Sequence, residues 1–302
     1  MKRTNKTLVV ITGATAVGKT DLSLDVALEL GCHIVSADSR QFYRELKIGT
    51  APPSQTELEK VPHYFVGHIS VFEHYNAALF EQQAIPLIGK LFDKHDYVVV
   101  TGGSGLYLDT LCHGIDELPG ISPLARRQVH EVYLREGVPG LRRWLKTIDP
   151  VYYRQADTAN PMRMKRAIEV FLSAGIPFSR LRKSRHKTRP FRICRIVLDR
   201  PRQELFARIN ARTDRMIHDG LIEEGVCWFR FRELNALNTV GYKEIFAWLS
   251  NQWPLDVAVE KIRTNSRRYA KRQLTWFRRY ADAAWFHPQE RDAILEFIRR
   301  GT

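Results

Sequence analysis

Short runs of apolar, largely β-branched residues punctuate the chain, and amphipathic helical patterns fill the spaces between them. Leu8-Val9-Val10-Ile11 is the first run. Its lack of polar alternation predicts a strand buried on both faces. Leu22, Val26 and Leu30 then recur at helical spacing, with Gly31 where a helix stop is expected. His33-Ile34-Val35-Ser36 predicts a second short strand, and Pro62-His63-Tyr64-Phe65-Val66 a short edge segment. Across residues 77–92 the positions Phe80, Ala84, Leu87 and Leu91 predict a core-facing helix. Pro86 lies inside it and is expected to kink it or to mark its start. Tyr97-Val98-Val99-Val100 is the third strand. Phe191-Arg192-Ile193-Cys194-Arg195-Ile196-Val197-Leu198 alternates, then becomes wholly apolar, and reads as a strand returning to the core. Strands separated by helices predict an α/β fold with a parallel sheet flanked by helices.

Between residues 116 and 190 the pattern turns wholly helical. Periodic segments cover 123–136, 139–147 and 161–173, broken at Glu136-Gly137 and Ala159-Asn160-Pro161. Ser122-Pro123 is a helix entry with proline at the first position, and Gly175 followed by Pro177 is a stop. The expectation is a core in two parts, 1–115 and 191–302, with an all-helical subdomain inserted at 116–190 as a candidate lid. Beyond it, a helix over 203–218 carries the apolar stripe Leu205, Ile209 and Met216, with Arg212 where another apolar residue belongs. A charge on a buried stripe must be paired or must face a polar cavity. An internal salt bridge and a phosphate-holding cavity both satisfy that condition. Arg208 and Arg215 flank it. Asn238-Thr239-Val240-Gly241-Tyr242-Lys243 is a turn into a further helix, and Ile294, Phe297 and Ile298 mark an amphipathic tail that packs structurally.

The first strand runs into Gly13-Ala14-Thr15-Ala16-Val17-Gly18-Lys19-Thr20, which matches the phosphate-loop pattern G-x-x-x-x-G-K-[ST] in the strand–loop–helix context the motif requires. Such a loop turns backbone N–H groups toward a phosphate chain at a helix N-terminus, as in phosphate-loop NTPase-like folds. Lys19 would reach the terminal phosphate and the Thr20 hydroxyl would ligate Mg²⁺. Asp38 follows the second strand. Metal contact, general base and helix N-cap are its three readings. The third strand ends in Thr101-Gly102-Gly103-Ser104-Gly105 and not in an acid, which weakens an ATPase reading. Glycines there admit close approach of a ligand, and Ser104 offers a hydroxyl to the cleft.

Charge sharpens the picture. The 302 residues are 44% hydrophobic and 26% charged, ordinary for a globular protein, but the formal net charge is +14. A polyanionic partner or a strongly anionic substrate is implied. Residues 180–202 carry ten Lys or Arg against one acid, and 261–280 carry eight with no acid; Met1 to Lys6 is basic as well. As a helix, 261–280 sets Lys261, Arg268, Arg272 and Arg279 opposite Ile262, Tyr269, Trp276, Phe277 and Tyr280. Solvated faces usually mix both signs, so this stripe points to nucleic acid. Cys32, Cys112, Cys194 and Cys227 lie far apart, which argues against a zinc site or disulfide framework and suits a reducing compartment. No apolar run approaches the roughly eighteen residues of a membrane span, and the pattern fits a cytoplasmic protein. A nucleotide kinase, ATP-binding through the loop, and a non-catalytic nucleotide-sensing RNA-binding protein both remain compatible with these features.

Taken together, residues 13–20, Asp38-Ser39-Arg40-Gln41 with Tyr43, Ile48-Gly49-Thr50-Ala51, Gly102-Gly103-Ser104-Gly105-Leu106-Tyr107, Val240-Gly241-Tyr242, and Lys271-Arg272-Gln273-Leu274-Thr275-Trp276-Phe277-Arg278 closely resemble the tRNA dimethylallyltransferase family. The blocks occur in family order to about residue 280. The resemblance implies transfer of a dimethylallyl group from dimethylallyl diphosphate to N6 of adenosine 37, beside the anticodon, in tRNAs reading codons that begin with U. It implies that the loop holds an isoprenoid diphosphate, with Lys19, Thr20, Mg²⁺ and Arg212 stabilising the leaving group and Asp38 as base. It implies tRNA contacts from Asp38 through Gln41, from Ser104, from Arg126 and Met162-Arg163-Met164-Lys165-Arg166, from Asn238 through Lys243, and from Lys271 through Arg278. The partner is a tRNA anticodon stem-loop, and a monomer suffices. Ser104 stands where the family usually has Thr and keeps the hydroxyl; Pro52 replaces the usual Lys after Gly-Thr-Ala. The chain carries no zinc finger of the kind appended to eukaryotic members, which implies a bacterial-type enzyme.

Overall fold

A computed structural model of the chain describes residues 6–183 and 186–300. The basic N-terminal residues 1–5 and two positions of the basic stretch, Ser184 and Arg185, lie outside the described residues, as do residues 301 and 302. In chain order the elements are β1 (Thr7–Gly13), α1 (Lys19–Glu29), β2 (Ile34–Ser36), α2 (Gln55–Lys60), β3 (His63–Tyr64), α3 (Ala77–Phe92), β4 (Tyr97–Gly102) and α4 (Gly105–His113). They continue with α5 (Pro123–Ile148), α6 (Pro150–Gln155), α7 (Pro161–Ala174), α8 (Phe178–Leu181), β5 (Arg192–Leu198) and α9 (Arg202–His218). The last are α10 (Leu221–Trp228), α11 (Tyr242–Leu249), α12 (Leu255–Phe277), β6 (Ala284–Phe286) and α13 (Arg291–Arg300).

The six strands form one parallel sheet in the order β3-β2-β4-β1-β5-β6. The unbroken apolar runs have the cause expected of them: both faces are covered. Leu8 and Val10 of β1 and Val98 and Val100 of β4 enter one core cluster, while Val9, Ile11 and Val99 enter the other. Because β1 sits centrally, its carboxyl end opens between the ends of β4 and β5, where an open α/β sheet binds its ligands.

Two details differ from the sequence reading. Helix α3 starts at Ala77 under an Asn76 cap and passes Pro86 without ending, so Pro86 does not mark its start. Pro86 and Gln82, whose carbonyl loses its partner, both face solvent, where water replaces the missing bond. The tail also contributes β6, a three-residue parallel edge strand too short to leave a periodic signal, before α13 buries Ile294 and Ile298.

The chain divides into two compact units, His113–Thr188 and the remainder. The smaller is helical, packed around Val129, Leu141, Leu145 and Ile168. Its long helix α5 is capped by Ser122 and interrupted at Gly137, which adopts φ 61.

Candidate active site and nucleic-acid interface

In the larger unit the loop between β1 and α1 is gripped from several sides. Lys19 Nζ donates to the Gly13 and Ala14 carbonyls at 3.1 and 2.9 Å. Arg208 Nε donates to the Ala16 carbonyl at 2.8 Å and Arg200 Nε to that of Val17 at 2.7 Å. The carbonyls that would repel an anion are thereby tied to cations, which favours N–H groups turned toward a phosphate. Burial pulls the Lys19 ammonium down to about 8, with Asp38 raising it and Arg212 lowering it further.

Arg212 resolves the stripe anomaly. From the middle of α9 its guanidinium donates to Thr15 Oγ1 at 3.2 Å. Among the described residues it makes no ion pair within 4 Å, so the internal salt bridge is not formed. Burial pushes it below its ordinary value, Asp38 opposes that, and Arg215 adds to it. Asp38 stands just beyond β2, and no helix follows it, so it is not a helix cap. Its Oδ1 accepts the Arg40 N–H at 3.0 Å.

Three cavities meet here. A cleft of about 610 Å³ is bordered by Lys19, Thr20, Lys47, Arg208, Arg212 and Arg215. A small pocket of about 90 Å³ brings Asp38 and Arg212 together with apolar Ile209, Met216, Val240 and Ile262. A third, of about 490 Å³, is bordered by Ser104, Leu106, Tyr107, Lys243, Arg272 and Trp276. Tyr269 borders all three, and burial followed by Asp38 pushes its phenol up to about 12, so it remains a donor. Sequence reasoning placed Tyr269 only on the apolar side of a basic helix. Its signal was a hydroxyl within an otherwise greasy stripe.

Helix α12 supplies the link between cleft and third cavity. Gln273 is buried; its Oε1 accepts the Thr15 N–H of the phosphate loop at 2.8 Å and its Nε2 donates to the Gly103 carbonyl at 2.8 Å. A Cβ at Gly103 would strike Gln273, and one at Gly105 would strike the Trp276 ring. These glycines admit the chain's own side chains and also border the third cavity. Trp276 Nε1 donates to Asp109 at 3.1 Å and its ring lies under Arg279, 3.9 Å from the centroid.

Of the residues implied to touch RNA, Lys271, Arg272, Thr275 and Arg278 are exposed on or just past α12, and Thr239, Val240 and Lys243 border the third cavity. Arg40 instead ties the following turn, donating to the Asn235, Ala236 and Asn238 carbonyls. Gln41 binds the Ala51 carbonyl, and Ser39 shares its N–H and hydroxyl with Ser104 Oγ. Tyr242 and Phe277 are fully buried and Leu274 half-buried, so they pack the core; Gly241 opens α11 with φ 100. The basic stretch is also less naked than it reads: Arg263 pairs with Asp214 and Glu260, Arg267 with Glu260, and Arg279 with Asp109. In the helical unit Arg126, Met162, Arg163 and Arg166 are exposed, Lys165 lies over the Tyr133 ring, and Met164 is a core residue. Among the described residues no helix is long and apolar enough to cross a membrane.

Comparison with known proteins gives this geometry a family. The model of the IPP transferase family matches residues 41–280. The tRNA dimethylallyltransferase 1 of Bacteroides thetaiotaomicron is 46% identical over 293 residues, covering 97% of this chain and 95% of that protein. The full-length tRNA isopentenylpyrophosphate transferase of Bacillus halodurans matches in structure with a TM-score of 0.73 at 32% identity, covering 98% of this chain and 96% of that one. A eukaryotic dimethylallyltransferase acting on tRNA shares the fold, with a TM-score of 0.77 at 23% identity over 98% of this chain and 77% of its own. A family model matched over most of the chain, and relatives aligned nearly end to end, show that the chain belongs to the tRNA dimethylallyltransferase family.

Proposed function

We propose that the chain transfers the dimethylallyl group of dimethylallyl diphosphate to N6 of adenosine 37 in tRNAs reading codons that begin with U, giving N6-dimethylallyladenosine, and that it acts as a monomer in the cytoplasm. The observation that carries the reading is that Asp38 and Arg212 border one small pocket, which shares Tyr269 with a cationic cleft and with a cavity bordered by Arg272 and Trp276. The diphosphate lies in the cleft against residues 13–20, with Lys19, Arg212 and the loop N–H groups receiving its charge. The five-carbon chain extends into the pocket beside Ile209, Met216, Val240 and Ile262. The adenine enters from the Trp276 side, out of its stack. Its N6 forms a bond to C1 of the allyl chain as the C1–O bond breaks. The bonding pair leaves with diphosphate and Asp38 takes the N6 proton.

The residues present fit a magnesium ion. Thr20 borders a small cavity of about 30 Å³ with Ser23, Ser36, Asp38, Gln41 and Thr101, whose oxygens suit a hard cation, and with the Lys19 ammonium and His63 on the same lining. Ser23 Oγ and Thr101 Oγ1 are buried there without a hydrogen-bond partner among the described residues. When bound, Mg²⁺ would offset the charge of the departing diphosphate. Mass spectrometry of tRNA digests after incubation with dimethylallyl diphosphate and Mg²⁺ tests the reading. One adenosine per substrate tRNA should gain the mass of the dimethylallyl group. Unmodified tRNA accompanied by ATP hydrolysis would replace the transferase reading with a nucleotide-dependent one.

A further inference from the structure

Segment 47–51 borders the site, with Gly49 and Thr50 at the pocket that Arg212 also lines, and with Lys47, Ile48 and Ala51 at the cleft; it is held by a carboxylate far away in sequence. Glu224, in the first turn of α10, accepts three consecutive peptide N–H groups. Its Oε1 receives Lys47 N–H at 2.7 Å and Ile48 N–H at 3.0 Å; its Oε2 receives Gly49 N–H at 2.8 Å and the Tyr242 hydroxyl at 2.7 Å. Successive N–H groups converging on one point form an anion nest, and here the chain's own carboxylate fills it. The Tyr242 phenol is pushed up, by burial first and Glu224 second, so it stays a donor to that carboxylate. The clamp is tight: a Cβ at Gly49 would lie 2.6 Å from the Tyr242 ring and hydroxyl. What it holds is the wall of the site. Gly49 and Thr50 border the small pocket with Asp38 and Arg212, and Ile48 packs with Met216, Val240 and Ile262.

We infer that Glu224, with Tyr242, is a positioning residue that sets this wall and thereby the space left for the organic chain of the diphosphate substrate; the inference rests on the proposed function. The carboxylate touches neither substrate nor reacting atoms. Its action is to keep three N–H groups satisfied in one backbone conformation, which no neutral side chain at that position can do equally. Removing a charged acceptor leaves those donors unpaired, and the segment must rearrange to find others.

The test compares two ligands on the same protein. In E224Q the affinity for dimethylallyl diphosphate, read by calorimetry, should fall about tenfold, the loss of a hydrogen-bonded charge. Inorganic diphosphate has no chain to place against the wall, and although Lys47 and Ile48 of the clamped segment also border its cleft, it should lose clearly less, about threefold at most. Hydrogen exchange at the Lys47, Ile48 and Gly49 amides should accelerate in parallel, and Tyr242→Phe should move both readouts in the same direction by less. Equal losses for both ligands, or unchanged exchange at those amides in either variant, would overturn the clamp. Should E224Q not fold, Tyr242→Phe alone decides between these outcomes. If the wild type binds dimethylallyl diphosphate but modifies no tRNA, the transferase reading fails while the ligand comparison still judges the clamp.

Discussion

The two ends of the site meet anions in opposite ways. At the phosphate loop the cations are committed to the loop itself: Lys19 binds two loop carbonyls, Arg208 and Arg200 one each, and Arg212 the Thr15 hydroxyl. Along α12 Arg268, Lys271 and Arg272 stand exposed with no ion pair among the described residues, and the better-covered Arg263 and Arg267 are already paired. The first arrangement suits a charge that appears during reaction, because fixed dipoles in a dry site need no reorganisation. The second suits a polyanion that must arrive and leave, because exposed charges steer over a Debye length and release counterions. Chemistry and capture should therefore separate under mutation, pH and salt.

The sharpest break is at their meeting point. Asp38→Asn keeps an acceptor for the Arg40 N–H and removes the proton acceptor. Single-turnover transfer should fall about a thousandfold, within the range of general base catalysis, while tRNA affinity by filter binding stays within about threefold. A matching collapse of binding would make Asp38 an RNA-holding residue and would end its role as base.

A smaller effect separates the ends by pH. Lys19 is held near 8 in the free protein, below its ordinary 10.5, chiefly by burial. An arriving diphosphate favours the protonated amine, so the sign follows: below about pH 8 the ammonium is present before binding, and above it a proton must be taken up. Affinity for dimethylallyl diphosphate should be level below pH 8 and weaken above it. At pH 9, calorimetry in buffers of different ionisation heat should report uptake of roughly one proton. No uptake would mean that Lys19 is not at the diphosphate. Affinity for tRNA, carried by always-charged arginines, should show no break at that pH.

The phosphate end was legible because its signals are local. One strand, eight loop residues and one helix declare themselves in sequence, and Arg212 betrays itself as a charge on an apolar stripe. The resemblance of the motif blocks named the family from the same residues. What stayed hidden depends on distant approach. Glu224 pairs with residues some 175 positions away, and Gln273 with Thr15 across 258; no periodicity marks a side chain that acts on another segment's backbone. The same blindness exaggerated the basic helix, whose missing acids come from Asp214 on α9 and from Asp109 on α4. Motif membership also misled at Tyr242 and Phe277, which belong to the core although their neighbours face the cavities.

At the RNA end the smallest effect is the most diagnostic. Arg272 is exposed, borders the third cavity and stacks on the Tyr269 ring, 5.7 Å from its centroid. Losing one phosphate contact should weaken tRNA binding a few-fold, about equally for every tRNA, and reduce the slope of log affinity against log salt by about one unit. Arg212→Ala, in contrast, should leave that slope unchanged if, as proposed, its guanidinium serves the diphosphate and releases no counterion from RNA. Paired salt titrations of the two variants thus read the difference between the ends directly. If Arg272→Ala left the slope intact while slowing single-turnover transfer, Arg272 would belong with the cations at the phosphate loop, and the boundary between capture and chemistry would move from Asp38 to the outer face of α12.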